Sequence, residues 1–87
     1  MDYDEIYSRD HGVCFCGLPI DFDAPPRSFL APSIDHFVPV DNHGDHVADN
    51  LTAAHHGCNG IKTNQPLDLV LIAKCRRAAE KRVAAGL

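Results

Sequence analysis

Two close pairs of soft metal ligands constrain this chain more than any other feature. Cys14 and Cys16 stand near its start, and His55 and Cys58 lie past its middle. Four such donors in two close pairs suit one tetrahedral zinc. The length makes this matter. A chain of 87 residues is one domain with a thin core, and such domains often need a disulfide or a metal as a staple. The stretch Met1-Asp2-Tyr3-Asp4-Glu5-Ile6 is acidic, with no apolar run behind a basic start, so no signal peptide is expected. No apolar segment approaches the length of a membrane span, and no membrane partner is expected. The expected compartment is cytoplasmic and reducing, where cysteines bind metal more often than they cross-link.

Local patterns divide the chain. Asp2 to Asp10 reads as a short helix, with Tyr3, Ile6 and Tyr7 at helical spacing and Gly12 as its stop. Val13 to Ile20 reads as a tight turn with a short strand on each side. Gly17, after Cys16, permits the positive φ that a metal-binding knuckle asks for. Asp21 to Pro32 carries three prolines and is a loop. Ser33 to Val40 reads as a strand ended at Pro39, Asp41 to His46 as a polar turn, and Val47 to Thr52 as a return strand or extended arm. Ala53 to Thr63 reads as a helix with His55 and Cys58 one turn apart on the same face. Pro66 marks a new helix start, and Leu67 to Ala85 is strongly helical. Leu67, Val70 and Leu71 are its expected core positions, and Cys75 is read as a small core residue. The whole is a small α+β domain over residues 1–66, with a basic helix over 67–87 packed on it or extending from it.

A second set of polar residues lies between and beside the soft ligands. Hydrolysing a phosphodiester needs a base for water, a cation for the developing charge and help for the leaving oxygen. His36 is the candidate base, placed on a strand. The side-chain carbonyl of Asn50 is the expected acceptor from the other ring nitrogen. Asp35 and Asn59 offer hard oxygens of the kind that magnesium takes together with water and phosphate. Lys62, one turn after Asn59, is placed to meet a phosphate. Cys58 and Asn59 are thus neighbours assigned to different metals. His43 and His46 are expected to be exposed in the polar turn, with His46 a possible contact to substrate or metal. His56 is expected at the surface or on a phosphate, and His11 receives no role.

The series Arg9-Asp10, Cys14-Phe15-Cys16-Gly17, Asp35-His36-Phe37-Val38-Pro39, Gly44, Asn50-Leu51, His55-His56-Gly57-Cys58-Asn59 and Lys62 resembles the HNH endonuclease family, in particular its small zinc-containing members of bacteriophages and their hosts. The resemblance covers roughly residues 6–66. It implies a ββα-metal core, a two-stranded hairpin packed on a helix, stapled by one structural zinc on Cys14, Cys16, His55 and Cys58. It also implies His36 as general base, Asp35 and Asn59 as ligands of a catalytic divalent cation, Asn50 steadying the hairpin loop and orienting the base, and Lys62 near phosphate. The family cleaves DNA with magnesium, manganese or sometimes nickel. Phage members often serve beside the packaging terminase, which would place the protein in the host cytoplasm.

Two positions depart from the family pattern. Only Phe15 separates Cys14 from Cys16, where two residues are usual, and His55 stands where cysteine is more common. His56 or His11 would be the substitute if one of the four did not ligate. The charge distribution also bears on function. Net charge is −4, yet residues 1–61 hold ten acids and two bases while residues 62–87 hold six bases and two acids. A basic helix face can follow a phosphate backbone. The competing class is a non-catalytic zinc module for nucleic acid or a partner protein, which would have no need of Asp35, His36, Asn50 and Asn59 together.

Overall fold

The computed structural model describes residues 2–40 and 43–86. Its elements are α1 (Tyr3–Arg9), β1 (Pro32–His36), a 3-10 turn (Ala48–Asn50), β2 (Leu51–His55), α2 (His56–Lys62) and α3 (Leu69–Ala85). The expected α+β domain with a hairpin, a following helix and a helix at each end is present. Asp41 and Asn42 of the expected polar turn lie outside the described residues.

Helix α1 starts at Asp2, whose side chain accepts from the Asp4 N–H, with acids in its first turn and Arg9 in its last. Arg9 then ties the helix to the far side of the hairpin loop. Its guanidinium donates to the carbonyls of Ala48 and Leu51 at 2.8 and 2.6 Å. Asp10 is held by Arg9 and accepts from the Ala53 N–H.

The two strands pair antiparallel, from Pro32 opposite His55 to His36 opposite Leu51. Both boundaries differ from those expected. β1 stops at His36 rather than running to Val40, because the amide of Asn50 occupies both backbone groups of Val38. β2 begins at Leu51 and takes in Ala53 to His55, which read as helix in the sequence. Every residue of β2 is buried, and Ala53 and Ala54 have no exposure. The small side chains let a strand lie in the middle of the domain, and packing overrides alanine's helical propensity. Helix α2 follows without a break, so His55 ends the strand and caps the helix rather than lying within it.

α3 starts at Leu69, later than Pro66 suggested. The Leu67 N–H is engaged by the Phe37 carbonyl, and Asp68 is the cap, accepting from the Leu71 N–H at 2.8 Å. Leu71, Cys75 and Ala79 form its buried stripe at i, i+4 and i+8. Val70, expected in the core, is 79 % exposed, because it falls on the opposite side of that stripe. Cys75 is fully buried, as expected.

Apart from Ile6, Ala31, Leu51 and Leu71, which are buried around it, the core centres on one cluster of Cys14, Cys16, Ile20, Ala53, Ala54, Cys58, Cys75 and Ala79, edged by Tyr7, Phe15, Leu18, Phe29, Leu30 and Ile61. Half of the cluster's buried members are cysteines and three are alanines. Little large aliphatic surface is available at its centre, so the soft ligands sit where an ordinary domain would place Leu and Ile.

Candidate metal centres and active site

The soft ligands come from three separate places. Cys14 and Cys16 belong to a knuckle in which the Cys14 N–H donates to the Leu18 carbonyl and the Gly17 N–H donates to the Cys14 carbonyl. Gly17 has φ +93° and takes the Arg76 guanidinium against its α-carbon, so a side chain there would be strained and crowded. Arg76 also donates to the Cys16 carbonyl at 3.1 Å, so α3 closes the back of the knuckle. The Cys16 N–H donates to Cys14 Sγ at 3.5 Å, a contact the one-residue spacing makes possible. His55 arrives from the end of β2 and Cys58 from the first turn of α2.

One ligand atom from each of Cys14, Cys16, His55 and Cys58 lies within 4.8 Å of the others, and all four residues are buried. His55 Nδ1 is 3.6 Å from Cys16 Sγ and 3.5 Å from Cys58 Sγ. A tetrahedral centre with ordinary zinc–sulfur and zinc–nitrogen bonds has S···N edges of about 3.6 Å. The donor set and its spacing fit zinc. His55 Nε2 donates to the Pro19 carbonyl at 2.8 Å, which leaves Nδ1 to face the sulfurs. The short Cys14–Cys16 spacing therefore does not exclude either cysteine. His56 and His11, the possible substitutes, are exposed.

Electrostatics bind the cluster together. Hydrogen bonds from the Cys14 and Cys58 thiols hold the Cys16 thiol far below the usual range against the cost of burial. Burial works against charge on His55, but its contacts with Cys14 and Cys16 outweigh this and hold its pKa up to about 10. The same two sulfurs push the Cys58 thiol up. Metal binding would deprotonate these thiols and hold His55 neutral, because cysteine ligates as thiolate and histidine as neutral imidazole. Cys75 touches this group through its backbone and the backbone of Cys58 but is not among the four.

The hard residues lie on the hairpin and on α2. Asp35 is buried in β1, and its Oδ1 accepts both from the His36 N–H at 2.7 Å and from Lys62 Nζ at 3.3 Å. Its Oδ2 is buried and has no partner among the described residues. Asn59 donates through Nδ2 to Ser33 Oγ at 2.9 Å and to the Ile34 carbonyl at 3.5 Å. Side chains alternate along a strand, so Ser33 and Asp35 share the face that Asn59 and Lys62 cover, while His36 points to the other. His36 is half-buried, with Nε2 at 3.0 Å from His46 Nδ1.

Two sequence expectations change here. Asn50 does not accept from the His36 ring. Its Oδ1 accepts from Val38 N–H and its Nδ2 donates to the Val38 and Asp45 carbonyls, so it clips the loop. Gly44 lies so close to Val38 and Asn50 that any side chain would collide with the clip. Lys62 is not displayed to phosphate. It has no exposure and its charge is spent on Asp35. Sequence reasoning also missed three contributors: His46 against His36, the Pro19 carbonyl behind His55, and Arg76 behind the knuckle. Each depends on the path of a loop or on a long-range approach that spacing does not encode.

No curated protein and no solved structure gives a significant match to the chain. A family model described as HNH endonuclease matches residues 16–65, a span that begins at the second knuckle cysteine, runs through the hairpin and α2, and covers more than half of the chain. By that match, and with a strand–strand–helix core bearing a Cys/His cluster able to hold zinc, the chain belongs to the HNH endonuclease family, whose members are in general metal-binding nucleases.

Proposed function

We propose that this chain is a metal-dependent endonuclease that hydrolyses DNA phosphodiester bonds, with zinc as a structural metal and Mg2+ or Mn2+ at a catalytic centre. The observation that carries the proposal is the buried Oδ2 of Asp35, next to His36, which has no partner among the described residues. A buried carboxylate oxygen without a partner is costly, and proteins retain such groups at sites that complete them. A hard dication is one such completion, and a free carboxylate oxygen is the hard donor that it takes. When bound, the cation would stabilise charge on the phosphate and leaving oxygen.

The chain's own residues would do the rest. His36 takes the proton from water as general base. Asp35, fixed by Lys62 and the His36 backbone, turns one oxygen to the cation while the other is occupied. Asn59, held against β1 by its Nδ2, offers its Oδ1. Asn50 keeps the loop after His36 in place. Because Asp35 and His36 point to opposite faces of β1, a phosphate that meets both must lie across the end of the strand, where Phe37 opens the loop. Lys74, Arg77 and Lys81, exposed on one face of α3, would supply the phosphate-backbone contacts.

The test is cleavage of linear, circular and branched DNA by the zinc-loaded chain across a metal series. Wild type is expected to cut with Mg2+ or Mn2+, and His36→Ala to lose about a hundredfold or more in rate. If His36→Ala cuts as well as wild type, the assigned base is wrong. If wild type cuts no nucleic acid, the non-catalytic zinc module is the better reading.

A further inference from the structure

Outside the residues that the family pattern assigns, one polar chain runs to the proposed base. Tyr3 Oη is 3.3 Å from His46 Nε2, and His46 Nδ1 is 3.0 Å from His36 Nε2. The rings approach edge-on or tilted, with centroids 6.1 Å apart for Tyr3 and His46 and 5.2 Å for His46 and His36. The three side chains come from α1, from the loop and from the last residue of β1. The elements are tied where it counts. Arg9 fastens α1 to Ala48 and Leu51 on one side of His46, and Asn50 fastens the Asp45 carbonyl on the other.

We propose that His46, braced by Tyr3, is a positioning residue that fixes the ring orientation and tautomer of His36. The inference rests on the reading of His36 as the base. An imidazole pair hydrogen-bonded through one nitrogen each can run in two directions. If His46 Nδ1–H donates to His36 Nε2, the only lone pair of a neutral His36 is tied up. If His36 Nε2–H donates to His46 Nδ1, then Nδ1 of His36 keeps a free lone pair for the proton of water. The second direction makes His46 Nε2–H the donor to Tyr3 Oη. The tyrosine hydroxyl can accept there as well as donate, so the whole chain can run in the direction that frees His36 Nδ1. His46 therefore does for His36 what a carboxylate does for the histidine of a triad, with a neutral partner in place of a charged one. Asn50 does not do this, since both ends of its amide are engaged elsewhere.

The test has two arms on the full, zinc-loaded chain. The first reads the His36 ring nitrogens by long-range 1H–15N NMR at about pH 8.5, above the usual imidazole range. Wild type is expected to show one tautomer with the proton on Nε2. His46→Ala should give a mixture, and His46→Asn, whose Oδ1 can stand in for the lost Nδ1 acceptor, should restore the single form. An unchanged single tautomer in His46→Ala overturns the proposal. The second arm is cleavage kinetics. His46→Ala should lower kcat about tenfold with KM little changed, His46→Asn should recover most of it, and Tyr3→Phe should cost less than His46→Ala. A loss confined to KM would make His46 a substrate contact and overturn the positioning role. His46 is exposed, so these variants should fold, which their melting temperatures check. If wild type cuts no DNA, the nuclease reading falls by itself, and the NMR arm alone decides whether His46 orients the ring.

Discussion

Lys62 and Asp35 share one buried hydrogen bond at 3.3 Å, with side chains 1 % and 10 % exposed. In the sequence Lys62 looked like a surface cation one turn from Asn59, and spacing along a helix gives no measure of depth. A buried pair of this kind is strongly destabilised when one partner is removed, because the other charge is left without compensation. Lys62→Met should therefore cost about 3–5 kcal/mol in denaturant unfolding of the zinc-loaded chain. A lysine acting only on phosphate would leave unfolding unchanged and raise KM instead. The soft ligands were legible for the opposite reason. Cys14, Cys16, His55 and Cys58 are chemically distinctive, and two short spacings are enough to suggest one tetrahedral site. His46 was not legible: its role depends on the loop bringing it back to His36, and its immediate neighbours in sequence say nothing of that.

At the scale of elements, α1 is joined to β2 by Arg9 and Asp10. The hydrogen bond from Arg9 holds the Asp10 carboxyl below the usual carboxylate range against burial, and the Ala53 N–H adds to this. A carboxyl whose folded pKa is depressed stabilises the fold above its unfolded value of about 3.9, and that contribution is lost as pH falls through the folded value. Asp10→Asn should lower stability at neutral pH and flatten the loss of stability below about pH 4. Parallel stability curves for variant and wild type would show that Asp10 contributes nothing to the acid limb. The strands were legible in kind but misplaced by several residues. The β-branched and aromatic content located the first strand, whereas the limits of the hairpin depend on Asn50 capturing Val38 and on β2 lying buried on both faces. The basic helix divides in a way that charge counting missed. Arg76 bonds the Cys16 carbonyl and Glu80, and Arg82 lies over the Phe29 ring at 4.9 Å, so both serve the fold. Lys74, Arg77 and Lys81 remain for an outside partner. Replacing these three by alanine should reduce the salt dependence of DNA binding by as much as about 2–3 in the log–log slope. Arg76→Ala should instead lower the melting temperature while leaving the slope near that of wild type.

For the molecule as a whole, the core is the metal site. Cys14, Cys16, Cys58, Cys75 and His55 occupy its centre, with alanines where bulk would otherwise lie. No helix among the described residues is long and apolar enough to cross a membrane. Such a core has little apolar area with which to offset chain entropy, so a bound structural metal would contribute folding free energy directly. Through Cys58 it would also fix the start of α2, and with it Asn59 against Ser33 and Lys62 against Asp35. The most direct measurement of this role is zinc K-edge X-ray absorption of the purified chain, with melting recorded before and after verified zinc removal. The expected result is one zinc per chain with three sulfur neighbours at about 2.3 Å and one nitrogen at about 2.0 Å, and loss of cooperative melting when the metal is stripped. A coordination shell without three sulfurs, or an unchanged melting curve after the zinc is gone, would contradict a core built on the metal.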